Sequence, residues 1–220
     1  MSFNRCTLLT AFAFTAILVL PVRAALLFEQ DKVETQPSAT DVEVVARYPF
    51  RNAGTTTVRV TAIQSDCSCT TPTLAKKSYA PGDVGEVVVK FEIGNRHGLQ
   101  KKTVVLSTDD PSQATQTLSL TAAIPQILTI APNALLWTEA EARAGKTINV
   151  KTPDSPAVSA LRANARSAAL QVSVERVGPT EFRVLVTPDA KARNVSTALY
   201  LDAVLASGVI KRSTAFIRVR

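Results

Sequence analysis

From about residue 40 onward the apolar residues recur at every second position, and this period limits the chain to one class of fold. In "DVEVVARYPF" the residues Val42, Val44, Ala46, Tyr48 and Phe50 share one parity. In "GEVVVKFEIG" Val87, Val89, Phe91 and Ile93 do the same, with Lys90 and Glu92 opposite. "TQTLSLTAAI" sets Leu118, Leu120, Ala122 and Ile124 against Thr117, Ser119 and Thr121. Side chains of a strand point alternately to its two faces, so each run predicts a strand with one buried and one wetted side. β-branched and aromatic residues dominate the runs, as a pleated surface prefers.

Turn chemistry separates these segments. "RNAG" (51–54), "APGD" (80–83), "GNRHG" (94–98) and "TDDPS" (108–112) carry Gly, Pro, Asn or Asp where the chain must reverse. Short strands at this spacing, with no sustained helical periodicity, predict an all-β antiparallel sandwich that closes near Ile124-Pro125. A second set follows over 127–131, 134–137, 146–150, 169–175, 182–188, 197–205 and 214–220, with "VERVGPTEF" (174–182) reading as a hairpin. "SALRANARSA" (159–168) has helical composition without caps and is assigned to loop or strand. The expected organisation is therefore one unit over 25–125 and a second over 126–220, joined by a short stiff junction.

The first 24 residues stand apart. Arg5 gives a positive start, Leu8 to Leu20 is apolar apart from two threonines, and Val22-Arg23-Ala24 ends the stretch with small residues at −3 and −1. This is the layout of a secretory signal peptide, expected to be cleaved between Ala24 and Ala25. The apolar stretch is shorter than the roughly 20 residues that span a bilayer, and no later segment reaches that length, so no membrane span is expected after cleavage. The protein is expected to be exported, to the periplasm or fully outside. Cleavage removes Arg5 and Arg23, taking Lys+Arg from 25 to 23 against 18 acidic residues, a net charge of +5. The positive charge is dispersed, which predicts a solvated surface rather than a nucleic-acid site.

The first unit resembles the bacterial family DUF1573, which is similar to the ASH/Hydin-type immunoglobulin-like domains and more distantly to PapD-like sandwiches. The resemblance rests on Phe50, Asn52 and Gly54, on "VTAIQSDCSCTTP" (60–72), "YAPGDVGEVVVKF" (79–91), Gly98 with "KKTVVLSTDDP" (101–111), and "LSLTAAI" (118–124). The family commonly has Cys-Gly-Cys where this chain has Cys67-Ser68-Cys69. The second unit resembles the same kind of domain more loosely, through Pro132, Trp137, Gly145 and "TINV", and lacks the cysteines. The resemblance implies two tandem immunoglobulin-like sandwiches and a binding or structural module; a fold by itself implies no reaction.

The residues offer little for catalysis. The one histidine, His97, is the only imidazole base available to a Ser-His-Asp or Cys-His arrangement, and no nucleophile elbow, phosphate loop or dinucleotide fingerprint is present. The chain is therefore expected not to be an enzyme and to need no cofactor, and its partner is expected to be a protein or a component of the cell envelope. Cys67 and Cys69 leave several readings open. As thiolates they can hold zinc or Cu(I), but with His97 they make only three ligands, and a closed zinc site takes four, so Asp66 or a second copy would have to complete it. As a disulfide they need a turn or bulge, because residues two apart in an extended strand hold their Cβ atoms beyond the roughly 3.8 Å required. Such a bond would be strained, serving either to fix a strand end or in thiol exchange. Binding is expected through sheet edges or through loops at the sandwich ends, and the patch to test first is the pair of loops carrying Asp66, Thr70 and Thr71, and Asn95, Arg96 and His97.

Overall fold

The structure is a computed structural model and describes residues 26–220 apart from 140, 142 and 143. The signal segment and the expected Ala24-Ala25 cleavage lie outside the described residues. The strands divide into two sandwiches. The first contains β1 (Leu26–Phe28), β2 (Lys32–Thr35), β3 (Glu43–Asn52), β4 (Val58–Ser65), β5 (Thr70–Leu74), β6 (Ser78–Tyr79), β7 (Val84–Glu92), β8 (Gly98–Thr108) and β9 (Thr115–Ile124). The second contains β10 (Thr129–Ala131), β11 (Ala134–Trp137), β12 (Lys146–Lys151), β13 (Val158–Ala165), β14 (Leu170–Arg176), β15 (Glu181–Pro188), β16 (Val195–Leu205) and β17 (Ile210–Val219). The ambiguous 159–168 segment is thus mostly strand β13.

Each sandwich has its own hydrophobic core, and the two are built alike. The first stacks the sheet β1-β3-β7-β5 on β2-β9-β8-β4-β6; the second stacks β10-β12-β15-β14 on β11-β17-β16-β13. Apart from β6, every strand of the first has a counterpart in the second with the same neighbours. The likeness extends to irregularities: β4 slips register between Val60 and Ala62 where it pairs β8, and β13 slips between Val158 and Ala160 where it pairs β16. One pair in each sandwich runs parallel, β2 with β9 and β11 with β17, a departure from the fully antiparallel pairing that the sequence suggests. The remaining pairs are antiparallel.

The alternating residues face the cores as their parity requires: Val44, Ala46, Tyr48 and Phe50 are buried, as are Val87, Val89, Phe91 and Ile93. Val42 is the exception at 64% exposure. Its parity points it inward, but it lies just before β3, beside Val209 and the first residues of β17, Ile210 and Lys211, of the second sandwich. The motif Phe50-x-Asn52-x-Gly54 has a structural explanation. Asn52 is fully buried, its amide donates to the carbonyls of Thr56 (2.9 Å) and Tyr79 (2.8 Å), and its Oδ1 accepts from Gly54 N–H (2.9 Å). Beside it, Gly85 leaves room for rings: a Cβ there would sit 2.5 Å from atoms of both Phe50 and Tyr79.

Tyr48 joins the two sheets of the first sandwich, donating from β3 to the Ser119 carbonyl of β9 at 2.9 Å. Burial pushes its phenol up to about 12. Because the folded value lies above the ordinary value of 10.0, stability from the neutral phenol is complete below pH ~10 and is lost as the pH rises toward ~12. Tyr48→Phe should lower stability by about 1 kcal/mol at neutral pH and flatten the decline between pH ~10 and ~12. Denaturant titrations across that range check both effects, and an unchanged alkaline slope would count against this assignment.

The two sandwiches touch. The loop between β2 and β3 places Ala39 (4% exposed) in the core of the second sandwich, and Lys211 donates from β17 to the Asp41 carbonyl at 3.0 Å. Burial pushes the Lys211 ammonium down from its usual value, against the opposing pull of Asp41.

Candidate functional site

Two features lie at one end of the first sandwich: the turn that carries the cysteines, and a cleft where the β7–β8 turn meets the second sandwich. The turn joins β4 to β5. Cys67 and Cys69 form a disulfide with Cα atoms 5.3 Å apart. Leaving the extended conformation between Ser65 and Thr70 brings the two Cβ atoms within reach of each other. Non-covalent bonds close the same turn. Thr70 N–H donates to the Cys67 carbonyl at 3.2 Å, and the Ser65 hydroxyl is within reach of the carbonyls of Cys67 (3.0 Å) and Thr70 (2.7 Å). Asp66 N–H donates to Thr103 O at 3.1 Å while Thr103 N–H donates to Asp66 Oδ2 at 2.9 Å. Cross-linking a loop of about three residues restricts the unfolded chain by only about 1.6 kcal/mol on the loop-entropy relation.

Cys69 is 8% exposed and packs in the first core, whereas Cys67 is half-buried. The Thr70 hydroxyl, on a residue 3% exposed, lies 3.4 Å from Cys67 Sγ and 3.8 Å from Cys69 Sγ. In register with Thr70 stands Phe91, whose ring carries the Lys102 ammonium 5.0 Å and the Arg96 guanidinium 5.9 Å from its centroid.

The cleft has a volume of about 600 Å³; Asn95 and His97 line it from the β7–β8 turn, and Tyr200, Arg212 and Thr214 from the second sandwich. Gly94 (φ +54°) and Gly98 (φ +72°) let that turn reverse. The second wall continues onto the outer face of the sheet β11-β17-β16-β13, where strand pairing stacks charged residues from separate segments. Arg162, Asp202 and Arg212 form one cross-strand row. Arg212 holds Asp202 through two bonds, Nε to Oδ1 at 2.6 Å and Nη2 to Oδ2 at 2.8 Å. Tyr200 lies under two guanidinium groups, those of Arg212 (4.7 Å) and Arg166 (5.1 Å). Further along, Arg218 and Phe216 (64% exposed) face outward. The face therefore offers four arginines against one carboxylate, which is already paired.

The structure brings Asp66, Cys67, Cys69 and Thr70 together in one turn, and places Thr71 beside it at the start of β5. Asn95, Arg96 and His97 form the neighbouring turn, linked by the bond from Glu92 N–H to Cys69 O at 2.9 Å. His97 is not gathered with the cysteines into a ligand set: among the described residues no group of three His, Cys, Asp or Glu side chains is placed to hold an ion. The glycine-flanked turn carries the imidazole to the cleft wall, and the two sulfurs bond each other. Arg162, Arg166, Tyr200, Arg212 and Arg218 were not singled out by sequence, because on alternating strands they read as an ordinary wetted face.

Residues 26–124 match the model of a family described as "Protein of unknown function (DUF1573)". No curated protein matches the chain. Similar solved structures include the YadV chaperone (12% identity, TM-score 0.37, covering 88% of this chain and 100% of that one) and the Pseudomonas aeruginosa CupB2 chaperone (10%, 0.35, 86% and 99%). An ASH/PapD-like domain of human CEP192 is similar at 11% identity and TM-score 0.36, covering 53% of this chain and 99% of that domain.

Proposed function

We propose that this chain, whose first sandwich is a DUF1573 domain, is an exported, non-catalytic binding module that holds an acidic protein partner in the envelope. The observation that carries this reading is the arginine-rich sheet face opening from the junction cleft. Among the described residues no carboxylate pairs with Arg162 or Arg218, and the Tyr200 ring holds the guanidinium groups of Arg166 and Arg212 on the face. Clustered charge of one sign steers an oppositely charged surface and loses strength as salt rises. The leader-like start of the sequence supports export.

A photo-crosslinking amino acid placed at Thr214 on the cleft, and as a control at Thr55 at the far end of the first sandwich, tests the reading in cells producing the full chain. A discrete adduct in the exported fraction from position 214 alone is expected, and it should disappear when Arg162 and Arg218 are both replaced by Glu. Equal adducts from both positions, no adduct, or an adduct indifferent to the charge reversal would overturn it.

A further inference from the structure

We infer that the Cys67–Cys69 disulfide is a thiol-exchange site, opened and closed on the folded protein by a dithiol reductant, rather than a staple that holds the β4–β5 turn. The second sandwich provides the comparison. Its β13–β14 turn is the counterpart of the β4–β5 turn, and it closes with Leu170 N–H donating to Ser167 O at 3.3 Å, as Thr70 N–H donates to Cys67 O at 3.2 Å. Ser167 and Ala169 stand where Cys67 and Cys69 stand. The same turn therefore forms between the same strands without a covalent bond. In the first sandwich the Ser65 hydroxyl and the paired contacts of Asp66 with Thr103 hold it further. The disulfide is redundant for shape.

Its surroundings suit exchange. The sulfurs differ in access, with Cys67 half-buried and Cys69 in the core, so an incoming thiolate meets Cys67 Sγ first. Attack there forms a mixed disulfide with Cys67 and breaks the Cys67–Cys69 bond, and Cys69 leaves as a thiolate with the electron pair. The Thr70 hydroxyl, within 3.8 Å of both sulfurs, is placed to donate to that thiolate. Hydrogen bonding of this kind favours the charged form and eases its departure. The second thiol of the reductant then attacks its own sulfur in the mixed disulfide and releases Cys67. Two electrons and two protons pass to the protein, and the dithiol becomes a disulfide.

The test uses the full chain and dithiothreitol as the probe. In native buffer, alkylation followed by mass analysis should show complete reduction while circular dichroism stays unchanged, and removal of the reductant in air should restore the bond. In a C6S background, which leaves one thiol in each variant, C69S (free Cys67) should react with a dithiobis-nitrobenzoate reagent at least tenfold faster than C67S (free Cys69). Thr70→Val should slow native-state reduction several-fold, and Thr70→Ser should restore the rate. Reduction only after denaturant is added, loss of the first sandwich on reduction, or equal reactivity of the two cysteines would each overturn the proposal.

Discussion

Replacing Trp137 with alanine is expected to cost the second sandwich about 4 kcal/mol, the usual range for emptying a large aromatic site in a core. Trp137 is wholly buried at the end of β11. Its indole N–H donates to the Ala144 carbonyl at 2.8 Å, and the Lys146 ammonium lies 5.2 Å from its ring centroid. The substitution removes a wholly buried side chain from one core and leaves the Ala144 carbonyl without its donor. A loss of that size is a large share of what a domain of about 100 residues has to spare. Denaturation followed by circular dichroism should therefore split into two steps, the earlier belonging to the second sandwich and the later unchanged from wild type. A single transition shifted by less than about 1 kcal/mol would show that the ring is not packed as described.

Asn52→Ala should have the other large effect, about 3 kcal/mol, borne mainly by the first sandwich. Three hydrogen bonds end on this one fully buried amide, so truncation leaves the carbonyls of Thr56 and Tyr79 and the N–H of Gly54 short of a partner. Asn52→Asp is nearly the same shape but should be no milder, because it offers acceptors to two carbonyls where donors are needed. The chain supplies its own reporter for the comparison. Trp137 is the single tryptophan, so its emission follows the second sandwich only. In Asn52→Ala the dichroism of the first sandwich should be lost first, and the tryptophan signal should follow with a smaller shift, because only the loop carrying Ala39 is withdrawn from the second core. A shift of the tryptophan transition as large as the dichroism shift would contradict this.

Much of the architecture was legible because each strand buries one face, and that requirement writes period two directly into the sequence. What escaped was information carried by pairing. β2 ("KVET") and β11 ("ALLW") are four residues long, too short to reveal that each joins its sheet in parallel. The Ala, Leu and Arg of β13 favour helix locally, and the ladder with β16 overrides them. The cysteine turn was legible from Thr70-Thr71-Pro72 and the i, i+2 spacing. The equivalence of that turn with Ser167–Leu170 was not, since the two share architecture without sequence. The arginine face was hidden for a similar reason: Arg162, Asp202 and Arg212 come from three segments, and only the sheet places them in one row.

The placement of Ala39 bears on how this chain comes to be made. A loop of the first sandwich supplies part of the core of the second, and Asp41 beside it receives Lys211 from the last strand. A fragment cut at Pro125 would lack a piece of its own interior, so the two halves are not separable at the point where their strands divide. Synthesis runs from the N-terminus, and residues 36–42 leave the ribosome long before β17 does. The earlier half can therefore present a finished docking point to the later one, and the last strand to arrive, β17, is the one that locks the two together.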